Sequence, residues 1–505
     1  MNIDAKIEEV KFNDNAEIAT SQVVVECDIP TMGRGGLNKI LTVTGDAVTE
    51  KVEIFDSTVK VYGKVTYRVL YVDGENKLAS SEYCSDFAKD VNVDGIEEDS
   101  RVTANLLLQD IDSMAKGGDI RLQAVVDISL TSNRERITNA ITDVNGALGN
   151  TQDTETSVHI ASICENIDIS EEYRTGANIE KILLVYSSVS IDNVKPNKDS
   201  IIVNGDASAT IVYMSDGKVF NKNIIFPYSD EINVLGVDKT SVACIKADIV
   251  SSKIIIDGII DDNVMKICLT VNFHGEIYDY DCVKLVDDVY SPTHLLSLER
   301  ENIEYSKCIP LKTIRERIQG EVAIEEDNTA IEKIIATETM PNVMTNCIVG
   351  KDEVKIDSLI AVEVAYLGDN KEWNVLKMEV PSSIIVPCDM VKDNDNVSAK
   401  VVVLSCTSRI KHEREVEVSL EVAIMLTANR KMTTSIVTAI EDAGDRVNEH
   451  KSMSIYFVSP ADTMWDIVKN TGVSREEIMA ANAEVDFDNI KGGERIVVFR
   501  KPIAE

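Results

Sequence analysis

The sequence predicts a mainly β protein: three repeats of one antiparallel, sandwich-like unit, followed by a small βααβ module. Three observations carry this. Val and Ile recur in dense alternating runs, while aromatic residues make up only 5% of the 505 residues, a composition suited to half-buried strands. One short motif recurs three times, each time followed at nearly the same distance by a tyrosine that closes an alternating strand. After an acidic stretch, Glu441 to Ser452, the pattern changes to helical apolar spacing. A chain this long exceeds a single core, and domains of about 100 to 200 residues predict three or four units.

The motif opens each repeat. Leu37-Asn38-Lys39-Ile40-Leu41 returns as Ile179-Glu180-Lys181-Ile182-Leu183 and as Ile331-Glu332-Lys333-Ile334-Ile335. Tyr71 follows Lys39 by 32 residues, Tyr213 follows Lys181 by 32, and Tyr366 follows Lys333 by 33. The runs Val61–Tyr71, Val203–Tyr213 and Ser358–Tyr366 alternate in polarity, as expected of long strands with one face in a core. Asp73-Gly74 and Asp216-Gly217 then signal hairpin turns, and Gly368-Asp369-Asn370 is a looser version. A further alternating strand ends each repeat: Ile120 to Leu130, Ile267 to Phe273 and Val416 to Leu426. The polar stretches Ala140–Asn145, Leu285–Tyr290 and Val437–Asp442 read as exits from the units. The expected division is therefore 1–150, 151–298 and 299–436 for the repeats, 437–452 for an acidic linker and 453–501 for the terminal module.

These motifs, in this order and repeated three times, resemble the SPOCS domain (formerly a domain of unknown function) of clostridial and bacillar spore-coat proteins, over most of residues 1 to 436. The family's proline-containing approach to the first motif is met only by Ile29-Pro30, and its Pro-Phe pair only approximately by Phe226-Pro227, so the second and third copies are divergent.

In the terminal module, Tyr456-Phe457-Val458-Ser459-Pro460-Ala461-Asp462-Thr463-Met464-Trp465-Asp466-Ile467-Val468 resembles the opening of a LysM domain. Ile478, Asn482, Ile490, Gly492 and Ile496 fall at its later landmarks. Asp462 or Thr463 caps a first helix whose Met464, Ile467 and Val468 share a face; Ser474 with Glu477 opens a second, burying Ile478 and Ala481. Gly492-Gly493 turns into a final strand, Arg495 to Arg500. LysM modules take N-acetylglucosamine polymers in two loops, which the resemblance places at Asp462, Thr463, Asn482 and Ile490. Ala461 replaces the usual glycine, and Glu484, Asp486 and Asp488 crowd the second loop, which disfavours an uncharged sugar. With Tyr456 and Val458 inward, Met453, Ile455 and Phe457 form an apolar stripe on the opposite face. That stripe docks a protein or packs on the linker. Trp465, beside Met464 at the edge of the core face, is either an interface anchor or part of the core.

Composition and motifs exclude much else. The formal net charge is −35; it repels phosphate backbones and anionic lipids, so neither nucleic acid nor membrane binding is expected. Solubility is the ordinary meaning of such a charge, and steering toward a basic partner is the alternative. Met1 to Glu9 is polar and acidic, unlike a secretory signal, and no run of 18 apolar residues predicts a membrane span. The ten cysteines and five histidines are scattered without metal-site spacing, so no metal or other cofactor is expected and the thiols read as reduced and structural. Gly33-Arg34-Gly35-Gly36 reads as a loop, and no nucleotide, zinc-hydrolase or serine-hydrolase motif occurs.

The two resemblances together imply a SipL-like spore coat morphogenetic protein of Clostridia: a scaffold without catalysis, in the mother-cell cytoplasm at the forespore surface, joining the basement-layer ATPase SpoIVA, and other coat proteins, to the spore. The expected partner-binding residues are Trp465, Met453, Ile455, Phe457 and Met464. A peptidoglycan binder acting through the LysM loops is the second expectation.

Overall fold

The computed structural model describes residues 3–30, 36–94, 96, 100–116, 118–175, 178–257, 264–324, 329–412, 414–445, 453–487 and 489–499. Gly33, Arg34, Gly35, Asp488, Arg500 and residues 446–452 of the acidic linker lie outside the described residues. The rest is nearly all antiparallel β, as the alternation predicts.

Each repeat contributes six strands arranged as two three-stranded sheets. In the first copy these are β1 (Asp4–Ile29), β2 (Leu37–Phe55), β3 (Thr58–Asp73), β4 (Leu78–Asn92), β5 (Arg101–Lys116) and β6 (Asp119–Asn145), in the orders β1-β6-β5 and β2-β3-β4. The second copy repeats this with β7 (Leu148–Arg174), β8 (Lys181–Asn197), β9 (Ser200–Ser215), β10 (Lys218–Asn233), β11 (Val242–Asp257) and β12 (Val264–Tyr290). The third has β13 (His294–Ala323), β14 (Ile331–Gly350), β15 (Glu353–Gly368), β16 (Trp373–Pro387), β17 (Asn396–His412) and β18 (Glu415–Asp445). Within a copy the sheets meet edge to edge, β2 beside β5 and β1 beside β4, enclosing a core. Period-2 alternation sends Ile120, Leu122, Ala124, Val126, Ile128 and Leu130 of β6 into that core, all fully buried. Each of these Ile, Leu and Val side chains contributes roughly 1.5–3 kcal/mol.

The hairpin turns take two forms. In the second copy Asp216 and Gly217 both have positive φ, 48° and 68°, and join Ser215 directly to Lys218, a two-residue turn. In the first copy the left-handed residue is Asn76 rather than Gly74, and Asp73 closes a longer loop by accepting from the N–H groups of Glu75 and Lys77. The third copy matches the first, with Lys371 in the left-handed role.

The divisions expected at 150, 298 and 436 each fall inside a strand. The polar stretches that read as exits are the far ends of β6, β12 and β18, paired with the starts of β1, β7 and β13. In each copy this pair outruns its third strand: β5, β11 and β17 reach only to Asn133, Tyr278 and Asn429. Beyond those points three two-stranded ribbons, one from each copy, pack against one another. Val10, Phe12, Ala140, Leu285, Ile303, Tyr305 and Ile436 form one shared core between them, with the Phe12 and Tyr305 rings 5.0 Å apart.

The copies thus close into a pseudo-threefold ring rather than a string of beads. Strand β5 of the first lies against β14 of the third, β17 of the third against β8 of the second, and β11 of the second against β2 of the first. Every contact joins equivalent elements, so the arrangement is head-to-tail and closed. One crosslink corrects the expectation of reduced thiols: Cys244 of β11 is disulfide-bonded to Cys308 of β13, and the other eight cysteines are unpaired.

The terminal module has β19 (Met453–Phe457), α1 (Met464–Thr471), α2 (Arg475–Ala481) and β20 (Arg495–Phe499). Val458, Ile467, Val468, Val473, Ile478, Ile496 and Val498 form its core. No helix among the described residues is long and apolar enough to cross a membrane.

Candidate docking surfaces

The repeated motif has two structural tasks. Its ladder slips between Ile40 and Thr42, between Ile182 and Leu184, and between Ile334 and Ala336, so Leu41, Leu183 and Ile335 sit on bulges at equivalent points. A bulge re-aims a side chain. Here it helps bring Leu41, Leu183, Leu184 and Ala336 into one core with Leu70, Val72, Val212 and Ala365, drawn from all three copies. The motif lysine reaches across the seam. Lys39 Nζ donates to the Trp373 carbonyl at 2.7 Å, and Lys333 Nζ donates to the Val219 carbonyl at 2.9 Å. Trp373 and Val219 hold equivalent positions at the starts of β16 and β10.

Next to this core the three copies differ. The facing pairs Thr44 and Arg68, Tyr186 and Thr210, and Glu338 and Glu363 occupy one equivalent pair of positions. Arg68, Glu338 and Glu363 are buried, at 8%, 4% and 6% exposure. Arg68 donates to Asp46 at 2.5 Å and to Glu82 at 3.2 Å, while Glu338 accepts from the Thr42 hydroxyl at 2.7 Å. Burial lifts the Glu338 carboxyl to about 7; hydrogen bonding to Tyr186 and Thr42 and the Arg68 charge oppose the rise, and Glu363 adds to it. Arg68, Asp46, Tyr186 and Glu338 border a cavity of about 300 Å³ lined by all three copies. Among the described residues no cluster of His, Cys, Asp and Glu is placed to hold a metal.

In the terminal module the β19–β20 ladder pairs Met453 with Phe499, Ile455 with Val497 and Phe457 with Arg495. The expected stripe does face outward: Met453, Ile455 and Phe457 are 56%, 53% and 60% exposed. It continues onto β20 through Val497 and Phe499, the latter 53% exposed, and the Arg495 guanidinium lies 5.7 Å from the Phe457 ring centre. The half of this face on β20 was missed from the sequence, although the same alternation around buried Ile496 and Val498 indicates it.

The other expected partner residues lie elsewhere. Met464 packs on the module core. Trp465 also packs there, and its indole N–H donates to Asp288 of β12 at 2.8 Å, so it is an anchor within the chain rather than a free hot spot. Lys469 joins the same carboxylate at 3.1 Å. A register slip between Val286 and Asp288 turns the acid toward the module. Burial alone would raise its pKa, but the Trp465 and Lys469 hydrogen bonds more than offset that and hold Asp288 below the ordinary carboxylate value. Gly472 ends α1 with φ 69°, and a Cβ there would stand 3.5 Å from Pro292, so the helix end also seats on the ring.

The expected sugar-binding positions are occupied by internal work. Thr463, not Asp462, caps α1, in a reciprocal box with Asp466. Asp462 accepts from the Tyr456 hydroxyl at 2.6 Å and from the Ser459 N–H at 2.8 Å. Asn482 is buried and clamps β20, donating to the carbonyls of Ile478 and Val497 and accepting from the Val497 N–H. Ile490 packs on the module core.

Residues 37–116 and 178–257 match the family model described as SipL, SPOCS domain. These stretches run from β2 to β5 and from before β8 to the end of β11, equivalent parts of the first two copies. The third copy has the same six strands in the same sheet orders. No curated protein and no solved structure matched the chain. The SPOCS match suggests a sporulation coat-related protein.

Proposed function

We propose that this chain is a spore coat morphogenetic adaptor. Its SPOCS-like ring serves as the platform, and its terminal module docks the basement-layer ATPase SpoIVA at the forespore surface, in the mother-cell cytoplasm. The observation that carries the reading is the outer face of β19 and β20, where Met453, Ile455, Phe457, Val497 and Phe499 stand together on a module whose opposite side packs on its own helices. A module this small gains nothing from that exposure by itself, and a contiguous apolar face marks a contact surface. The module is also held to the ring through Trp465 and Asp288, so a partner bound to the stripe is coupled to the platform. A LysM-like role on peptidoglycan is less favoured, because Asp462 and Asn482 spend their polar atoms inside the module.

Capture of purified SpoIVA by the full chain tests this. Ile455→Asp and Phe499→Asp are expected to abolish capture while the protein melts as the parent does; apolar anchors at an interface centre each cost about 2 kcal/mol or more when lost, some thirtyfold in affinity. Undiminished capture by both variants removes the stripe from the interface. Retention of the full chain on purified peptidoglycan, without SpoIVA binding, overturns the adaptor reading.

A further inference from the structure

At one position of the pseudo-threefold frame, the three seams are closed by three different chemistries. The registers place Thr103, Cys244 and Ser398 at equivalent points of β5, β11 and β17, and Asn15, His159 and Cys308 at equivalent points of β1, β7 and β13. Between the first and second copies, Arg101 meets His159 Nδ1 at 2.7 Å, and His159 Nε2 meets Glu276 at 2.6 Å. Between the third and first, Asn429 donates to the Asn15 carbonyl at 3.0 Å. Between the second and third, Cys244 and Cys308 are covalently joined. The other contacts of that seam are non-covalent: Arg315 pairs with Asp192 and Asp206, the Thr313 hydroxyl donates to the Ile191 carbonyl, and Val402, Leu404 and Ala423 pack with Ile225.

We propose that Cys244 and Cys308 form a reversible thiol–disulfide lock on the seam between the second and third copies. Three observations lead here. The pair joins two copies rather than two strands of one, so its state decides whether that seam carries a covalent tie on top of its packed core. Both residues are half-buried, which leaves them within reach of a small thiol or disulfide; fully buried cysteines are inert to exchange. Cys308 is also held in place without the crosslink, since its backbone N–H donates to the Tyr280 hydroxyl at 3.1 Å and its carbonyl accepts from that hydroxyl at 3.4 Å. Reduction therefore leaves the two thiols facing each other, ready to close again.

The oxidant is a low-molecular-weight disulfide. One cysteine thiolate attacks it, forming a mixed disulfide and expelling one small thiolate. The second cysteine, as thiolate, then attacks the protein sulfur of that bond and expels the other small thiolate. The two protein thiols lose two electrons and two protons, and the small disulfide becomes two thiols.

The test uses the folded full-length chain, first reduced, then incubated with oxidised glutathione, then alkylated and mapped by mass spectrometry. The expected result is a Cys244–Cys308 linked peptide formed without denaturant, with the other eight cysteines alkylated or as mixed disulfides. The oxidised protein should melt several degrees above the reduced one, and Cys244→Ser and Cys308→Ser should both lose that difference while Cys84→Ser keeps it. Free alkylation of both residues in the treated native protein overturns the proposal, as does a link that forms only after unfolding. Because the peptide map is read on the unmutated chain, a serine variant that fails to fold does not obscure the answer.

Discussion

Glu338 and Glu363 stand opposite one another on β14 and β15, both buried, and the cation whose charge reaches Glu338 is Arg68 of another copy. Arg68 is itself held by Asp46 and Glu82. Removing one member of a buried charge cluster leaves the others uncompensated, typically at about 3–5 kcal/mol. Arg68→Met should therefore lower the unfolding free energy by roughly that amount, and Arg68→Met with Glu338→Gln should recover part of it. Denaturant titration of the two proteins checks this; equal losses would place Arg68 outside the cluster's energetics.

The pH dependence of the same junction has a definite sign. The Glu338 carboxyl moves from 4.5 to about 7 on folding, so the folded protein holds this proton more tightly than the unfolded chain. The stability tied to it is fully present below pH 4.5 and is lost as pH rises through about 7, on the order of 3 kcal/mol. Burial sets the shift; Tyr186, Thr42 and Arg68 oppose it and Glu363 adds to it. Melting temperatures across this range, measured for the parent and for Glu338→Gln, should converge at the acid end and diverge toward neutral pH, with the variant the more stable there. Parallel curves would refute the assignment.

Docking of the terminal module should respond in the opposite direction. The Asp288 carboxyl is held low by Trp465 and Lys469, so docking is favoured above the usual carboxylate range and weakens as pH falls through it. In a Trp373→Phe background Trp465 is the remaining tryptophan. Its emission should shift to the red on acidification, and Asp288→Asn should show most of that shift already at neutral pH. An unchanged spectrum in the variant would separate Trp465 from Asp288.

The three motif lysines should not be equal. Lys39 and Lys333 each donate to a carbonyl across a seam, whereas Lys181 has no such bond among the described residues. Lys39→Ala and Lys333→Ala are each expected to cost about 1 kcal/mol, and Lys181→Ala close to nothing. Urea denaturation of the three variants decides it.

What the sequence disclosed was what repeats locally. Alternation identified the buried faces of β6, β12 and β18, and the Lys-Ile motif marked each copy because its bulge does the same work three times, while its lysine spans a seam in the first and third copies. Ring closure was not legible, since Arg68 and Glu338 are read together only once the copies are in contact. The ends of β6, β12 and β18 looked like exits because register slips, such as that between Val286 and Asp288, break the alternation there. Their apolar residues face the other ribbons rather than a core of their own copy. Trp465 illustrates a further limit: its spacing on α1 was clear, but not that Asp288 stands opposite it.

The pairing of β1 with β6 also imposes an order in time. As the chain leaves the ribosome, the N-terminal strand has no partner until the last strand of its copy has been made, and β7 and β13 wait in the same way for β12 and β18. Contacts so distant along the chain slow folding and leave unpaired edges exposed meanwhile. The first copy can mature while the second is being translated, but the ribbons can assemble only after β18 emerges. Translation that stops before β18 yields completed copies with an open side, and sticky edges are the hazard such fragments carry.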